Sequence, residues 1–283
     1  MTVAVESLPA ERASPARALR FARRHVLTVY ALLAFAYLLL PIAVVVLFSF
    51  NHPKGRFNYT WQGFTWDNWR HWDAVPGLRS AIETSLEIAV IASLAATALG
   101  TLIALALVRY GFRGRGVTNL LIFLPMSTPE IVLGASLLTL FLTINVSPGF
   151  WTIVIAHIMF NISYVVVTVK ARLIGFDRHL EEAAMDLGAN EWVTFSRVTL
   201  PLIAPGILSA LLLAFALSVD DFVITNFNAG TTVTFPLFVW GAARTAVFPQ
   251  INVIGTTIFL VAILIMLTNI LVQMQRAKRY ARA

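Results

Sequence analysis

The chain of 283 residues is 58% apolar and 12% charged, with a mean hydropathy of +0.79 and a net charge of +7. That much apolar surface exceeds what a soluble domain of this length can hide, so the composition excludes a soluble globular protein and defines a polytopic membrane protein. The chain contains no cysteine, which excludes disulfides, thiolate metal sites and cysteine nucleophiles, and its positive charge sits at the ends of apolar runs, where membrane topology rather than nucleic acid accounts for it.

In chain order, residues 1–25 form a basic arm with Arg12, Arg17, Arg20, Arg23 and Arg24, expected to be disordered at its start. The uncharged run Val26–Phe50 is longer than a signal-peptide core and spans about 37 Å as a helix. Residues 51–80 form a polar, aromatic loop holding Trp61, Trp66, Trp69 and Trp72, a composition typical of a membrane interface. A second span is expected at Ala81–Val108, followed by a tight turn where Arg109, Arg113 and Arg115 alternate with glycines. A third covers Val117–Ile144, interrupted by Pro125 and Pro129, and a fourth covers Phe150–Val169. A fifth is expected at Leu202–Thr225 with Asp220-Asp221 at its outer end, then a short re-entrant or interfacial helix near Pro236–Ala243, a sixth span at Ile251–Val272 and a basic tail at 276–283. Placing the N-terminus inside puts 16 of the 21 Lys and Arg residues on the inner side, so both termini are assigned to the cytoplasm.

The stretch Asp177–Pro201, on that inner side, reads as two short helices with a sharp joint. Asp177 is expected to cap the first, Gly188 to supply a left-handed C′ residue, Asn190 to cap the second, and Pro201 to stop it. Leu180, Ala183, Ala184 and Leu187 fall at helical spacing and describe a docking knob. Glu182-Ala183-Ala184, Gly188, Val198 and Leu200-Pro201 together resemble the EAA loop of the membrane subunits of bacterial binding-protein-dependent ABC importers, with Val198 where isoleucine is usual. Trp61-Gln62-Gly63-Phe64-Thr65, Tyr110-x-Phe112-Arg113-Gly114, Pro129-Glu130-Ile131-Val132 and Leu217-Ser218-x-Asp220-Asp221 look like the C-type permeases of spermidine/putrescine importers.

That resemblance implies an all-α membrane protein with six transmembrane helices and the type I ABC importer permease fold. It implies a permease domain over 26–275 and coupling residues Glu182, Ala183, Ala184, Asp186, Gly188, Leu200 and Pro201. It also implies a separate ATPase dimer that carries ATP and Mg, a second homologous permease, and a periplasmic polyamine-binding protein in the bacterial inner membrane system. No cofactor is expected on this chain itself, which lacks a GxxxxGK[ST] loop. Permeases for opines, aminophosphonates and amino acid derivatives share the look. A self-sufficient secondary transporter would instead show an inverted repeat, which the sequence lacks.

Intramembrane acids give an independent pointer to a cationic solute. Asp220 falls about 28 Å along the fifth span and Glu130 about 20 Å along the third, and carboxylates at such depth face a wet cavity or a partner. Adjacent helical positions point about 100° apart, so only one of Asp220 and Asp221 faces the pathway; the alternative is that both are interfacial, with one pairing with Arg244 or capping the next loop. Trp61 offers a cation–π surface or an interfacial anchor. Glu83 and Glu87 read as a solvated entrance, and His157 and Asn161 as interhelical hydrogen-bonding groups; no metal site is expected.

Overall fold

The computed structural model describes residues 15–280 and is all-helical apart from two isolated bridges, Asn51 with Phe64 and Phe57 with Val247. The chain divides into two compact units, Met1–Trp72 with Val247–Ala283, and Asp73–Ala246. By length and apolar composition five helical segments suffice to cross a membrane among the described residues, and one bent helix pair qualifies jointly.

In the first unit, α1 (Pro15–Ser49) packs along α12 (Pro249–Tyr280), with Gly255 admitting Val45. The helix therefore starts inside the arm, whose residues 1–14 lie outside the described residues. The loop that follows α1 is held by buried amides. Asn51 Nδ2 donates to Asn58 Oδ1 (2.6 Å) and the Thr60 carbonyl (2.8 Å), while Asn68, in the one-turn helix α2 (Asp67–Arg70), donates to the carbonyls of Ser49 and Asn51. The Asn68 bonds satisfy carbonyls at and just beyond the end of α1, which the helix leaves unpaired. Phe50 stacks on Phe64 and Trp69 and meets the edge of Trp66, which turns the tryptophan-rich loop into one aromatic cluster.

The core of the second unit is a packing of α3 (Leu78–Arg109), α6 (Phe150–Ile174) and α9 (Leu200–Asp220). Small residues make it possible: Ala96, Gly100 and Ala104 of α3 and Ala210 and Ala214 of α9 let backbones approach, with Val165, Val166 and Val169 of α6 between them. A Cβ on Gly100 would lie 2.6 Å from Val165 Cγ1, so only glycine fits that crossing.

Three features differ from the sequence expectation. The third apolar run is not one span: α4 (Arg115–Ser127) and α5 (Glu130–Thr143) meet at 108°. Thr128, held extended by the following proline (ψ 133°), makes the bend, whereas Pro125 is accommodated within α4. The depth counted for Glu130 along a straight helix therefore does not hold. Pro201 does not stop the preceding helix either: α8 (Glu191–Thr194), a π turn (Phe195–Thr199) and α9 run on as one continuous segment, Glu191–Asp220. The π turn widens the backbone just where the proline removes an N–H and crowds the preceding turn. At its other end the helix finishes at Asp220, and Thr225 belongs to a separate short helix, α10 (Val223–Asn228), which packs on α5. The short helix expected near Pro236 is α11 (Phe235–Ala243), with its proline-marked start.

Candidate functional site

Two groups of residues are candidates for functional chemistry. The first is the polar stretch between α6 and α9. Its first helix, α7 (His179–Asp186), begins two residues after Asp177, whose Oδ1 accepts from the His179 main-chain N (3.0 Å) and sits 2.7 Å from the His179 ring Nδ1. The formal cap position is Arg178 rather than Asp177, but the aspartate still takes up a free N–H of the first turn. The helix ends in a full Schellman arrangement: Ala189 N donates to the Ala184 carbonyl, Gly188 N to the Met185 carbonyl, and Gly188 takes φ +89°. Asn190 Oδ1 then accepts from Val193 N (2.8 Å) and caps α8.

The two glutamates of α7 point opposite ways. Glu182 is exposed together with Ala183 and Asp186, and the apolar stripe faces outward too, with Leu180 48% and Leu187 90% exposed. Ala184 is half-buried, and Leu200 and Pro201 lie exposed at the start of α9. Glu181 is buried. Its carboxylate is paired with the guanidinium of Arg109, at the end of α3, and accepts from the hydroxyl of Thr199 in the π turn. Burial pushes the Glu181 carboxyl upward, but the Arg109 and Thr199 hydrogen bonds and the charges of Arg109 and Arg178 outweigh it and leave the carboxyl below its ordinary value. Sequence reasoning missed Glu181 and Arg109. No local pattern marks Glu181: Glu182 lies farther from the apolar stripe on the helix and is exposed, so burial of Glu181 is set by packing against α3 and the π turn.

The second group lies around the end of α9. Asp221 is extended, and its Oδ2 receives three donors: Thr225 N (2.7 Å), the Thr225 hydroxyl (2.7 Å) and His157 Nε2 of α6 (3.2 Å). An ionised carboxylate only accepts, so Nε2 carries a proton toward Asp221, with the Thr225 hydroxyl 2.9 Å from the same nitrogen, and Nδ1 lies 2.6 Å from the Ser218 hydroxyl. Asp221 thus caps α10 and ties it to α6 and α9. His157 is the interhelical group its position suggested, while Asn161 is buried with its Oδ1 unpaired. Asp220, one residue earlier, is exposed. Glu130 is the first residue of α5, also exposed, and no hydrogen bond or ion pair joins it to either aspartate among the described residues. Arg244 lies over the Trp240 ring, 4.9 Å from its centroid, not beside an aspartate. Trp61, 45% exposed in the other unit, sets its ring edge-on to Phe48, and Glu83 pairs with Arg79 at an exposed site. No group of three or more metal-binding side chains occurs among the described residues.

Apolar helices long enough to cross a membrane, held together by small residues, with a polar helix–turn–helix inserted between two of them, define a multi-pass membrane protein. Residues 96–278 match the family of binding-protein-dependent transport system inner membrane components, and the chain belongs to that family. It is 37% identical over 246 residues to the spermidine/putrescine transport system permease protein PotC of Haemophilus influenzae, covering 86% of this chain and 94% of that protein. It is 40% identical over 238 residues to the putrescine transport system permease protein PotI of Escherichia coli K12, covering 81% and 84%. Among solved structures it is similar in fold to a chain of a bacterial ABC transporter involved in the import of the acidic polysaccharide alginate, with a TM-score of 0.61 at 19% identity over 94% of this chain and 99% of that one.

Proposed function

We propose that this chain is the permease subunit of an ATP-driven importer of polyamines, supplying half of the translocation pathway and taking its power stroke through α7. The observation that carries the substrate is the identity of 36–40% to permeases named for spermidine and putrescine, spread over more than four-fifths of each chain. The exposed stripe Leu180, Ala183 and Leu187 beside the acids Glu182 and Asp186 supports the coupling role, because a helix in a membrane protein that leaves its apolar face uncovered is shaped for a partner.

In this reading a cytoplasmic ATPase dimer holds ATP and Mg and receives α7. A second homologous permease completes the pathway, and a periplasmic binding protein delivers the amine. The bent pair α4–α5 counts as one of six spans over 26–275, both termini face the cytoplasm, and the assembly sits in the bacterial inner membrane. Asp220 and Glu130 are the amine-facing acids of their unit, Trp61 offers an amine-binding ring in the other unit, and Asp221 holds its end of the pathway in shape.

The test is reconstitution of the chain with its partner subunits in proteoliposomes, with labelled spermidine, putrescine, an opine and an aminophosphonate offered in turn. Saturable ATP-dependent uptake of the two polyamines is expected. Uptake of another solute class in their place overturns the substrate assignment. Single cysteines at Gly114 and Asn190 should label from the inside only, and those at Asn58 and Ser147 from the outside only; one reproducible inversion overturns the orientation.

A further inference from the structure

The buried glutamate of α7 has a role separate from the docking face. Its carboxylate is the point where three elements meet: Arg109 is the last residue of α3, Thr199 the last residue of the π turn that feeds α9, and Glu181 itself lies in the first turn of α7. The Glu181 side chain is 9% exposed and that of Arg109 25%. Arg178 adds a fourth strand to the joint by donating from Nη2 to the Val108 carbonyl (3.0 Å), an end carbonyl of α3 without a helical partner. Along the chain α7 is joined to its neighbours by turns, Gly175–Arg178 on one side and Gly188 on the other, and turns transmit bending poorly.

We propose that Glu181 is a positioning residue for transport: its carboxylate clasps α3 and the π turn together, so that displacement of α7 by the ATPase reaches α3 and α9 as one movement. This rests on the coupling role proposed above for α7. The geometry favours it for two reasons. One guanidinium N–H and one hydroxyl, both donating to the same carboxylate oxygen Oε1, fix where that oxygen sits, unlike an apolar contact that can slide. The third member of the clasp lies in a π turn, a widened stretch that can rearrange more easily than the α-helix on either side. A buried ion pair also fails abruptly when one partner goes, because the other is left unpaired away from water, so the link behaves as a latch and not as a spring.

The experiment uses the full reconstituted complex and reads amine imported per ATP hydrolysed, together with co-purification of the ATPase. Glu181→Gln and Arg109→Gln are expected to lower that ratio about tenfold, the worth of one coupling energy within a hydrogen-bonded network, while the ATPase still co-purifies. The exchange Glu181→Arg with Arg109→Glu should recover part of the ratio, which a residue that merely fills space would not allow. Thr199→Val, similar in volume and removing one of the two bonds, guards against misfolding and should lower the ratio about threefold. A parental ratio in Thr199→Val and in either assembled single variant overturns the clasp. Leu187→Glu, on the exposed stripe, separates this from the docking role: it should abolish co-purification. If it does so while the clasp variants stay fully coupled, only the clasp is wrong; if Leu187→Glu keeps both the ATPase and coupling, the coupling role of α7 fails with it.

Discussion

Neutralising Asp220 and Asp221 one at a time should separate transport from folding, although the two residues are neighbours. Asp221→Asn keeps an oxygen for Thr225 N but removes the charge from three converging bonds at 2.7, 2.7 and 3.2 Å. Charge-assisted bonds are worth about 1.5–3 kcal/mol against about 0.5–1.5 for neutral ones, so the loss is roughly 1–3 kcal/mol. For a chain of this size that lowers the unfolding midpoint by several degrees. Asp220→Asn breaks no such bond. If Asp220 meets the amine, its neutralisation costs one charge-assisted contact and lowers uptake roughly tenfold to a hundredfold at limiting substrate, with the complex intact. Glu130→Gln should lower uptake by a similar factor. The assay is labelled amine uptake normalised to assembled complex, beside thermal unfolding in detergent. Parental uptake in both Asp220→Asn and Glu130→Gln would remove the carboxylates from the pathway, and an unshifted midpoint in Asp221→Asn would refute its role as cap and tie.

Gly188→Val should abolish stimulation of the ATPase by loaded binding protein, because φ +89° costs a β-branched residue about 1–2 kcal/mol or more, whereas Gly188→Asn should retain it, since no neighbour lies within 4 Å of a Cβ there. Gly100→Ala should destabilise the helical core by about 1–3 kcal/mol through overpacking on Val165, and Val165→Ala in the same chain should recover most of it in a thermal unfolding series. His179 is held above its ordinary value by the Asp177 hydrogen bond and charge and then by Glu182, so the contact that starts α7 is fully present below pH 6.5 and weakens as pH rises through the raised value. A spin label on α7 should therefore gain mobility between pH 6 and 8, and His179→Gln should flatten that change. The Glu181 carboxyl, already below its ordinary value, contributes nothing to pH dependence in that window and loosens only under acid.

Features set by neighbouring residues were legible in the sequence. The apolar runs, the Schellman ending at Gly188 and the cap at Asn190 all follow from chemistry within five residues. Proline was not legible in the same way. Pro125 sits inside α4, Pro129 bends the chain by 108°, and Pro201 is absorbed by a π turn. What each does depends on whether packing leaves the backbone room to widen. The pairs that position the functional groups were beyond reach because they join distant residues: Arg109 with Glu181 across 72 positions and His157 with Asp221 across 64. A histidine without a carboxylate at ligand spacing in its own helix gains one from the far end of another.

The breaks in the helices also sort the three acids. A broken helix at membrane depth frees backbone groups that must be satisfied by protein or by a wet cavity, and Asp221 does this directly at the head of α10. Glu130 sits at the head of α5, where the positive end of the helix dipole favours a carboxylate by about 0.3–1 kcal/mol. Asp220 has the opposite placement. It is the last residue of α9, where the dipole disfavours negative charge, and it is exposed. Local folding energetics therefore account for Asp221 and Glu130 but not for Asp220. A charge placed against its own helix is explained by what it meets, so Asp220→Asn should leave the unfolding midpoint unchanged or raise it slightly even as it lowers amine uptake. A fall in the midpoint on neutralising Asp220 would mean that it holds the fold after all, and would move the burden of amine recognition to Glu130.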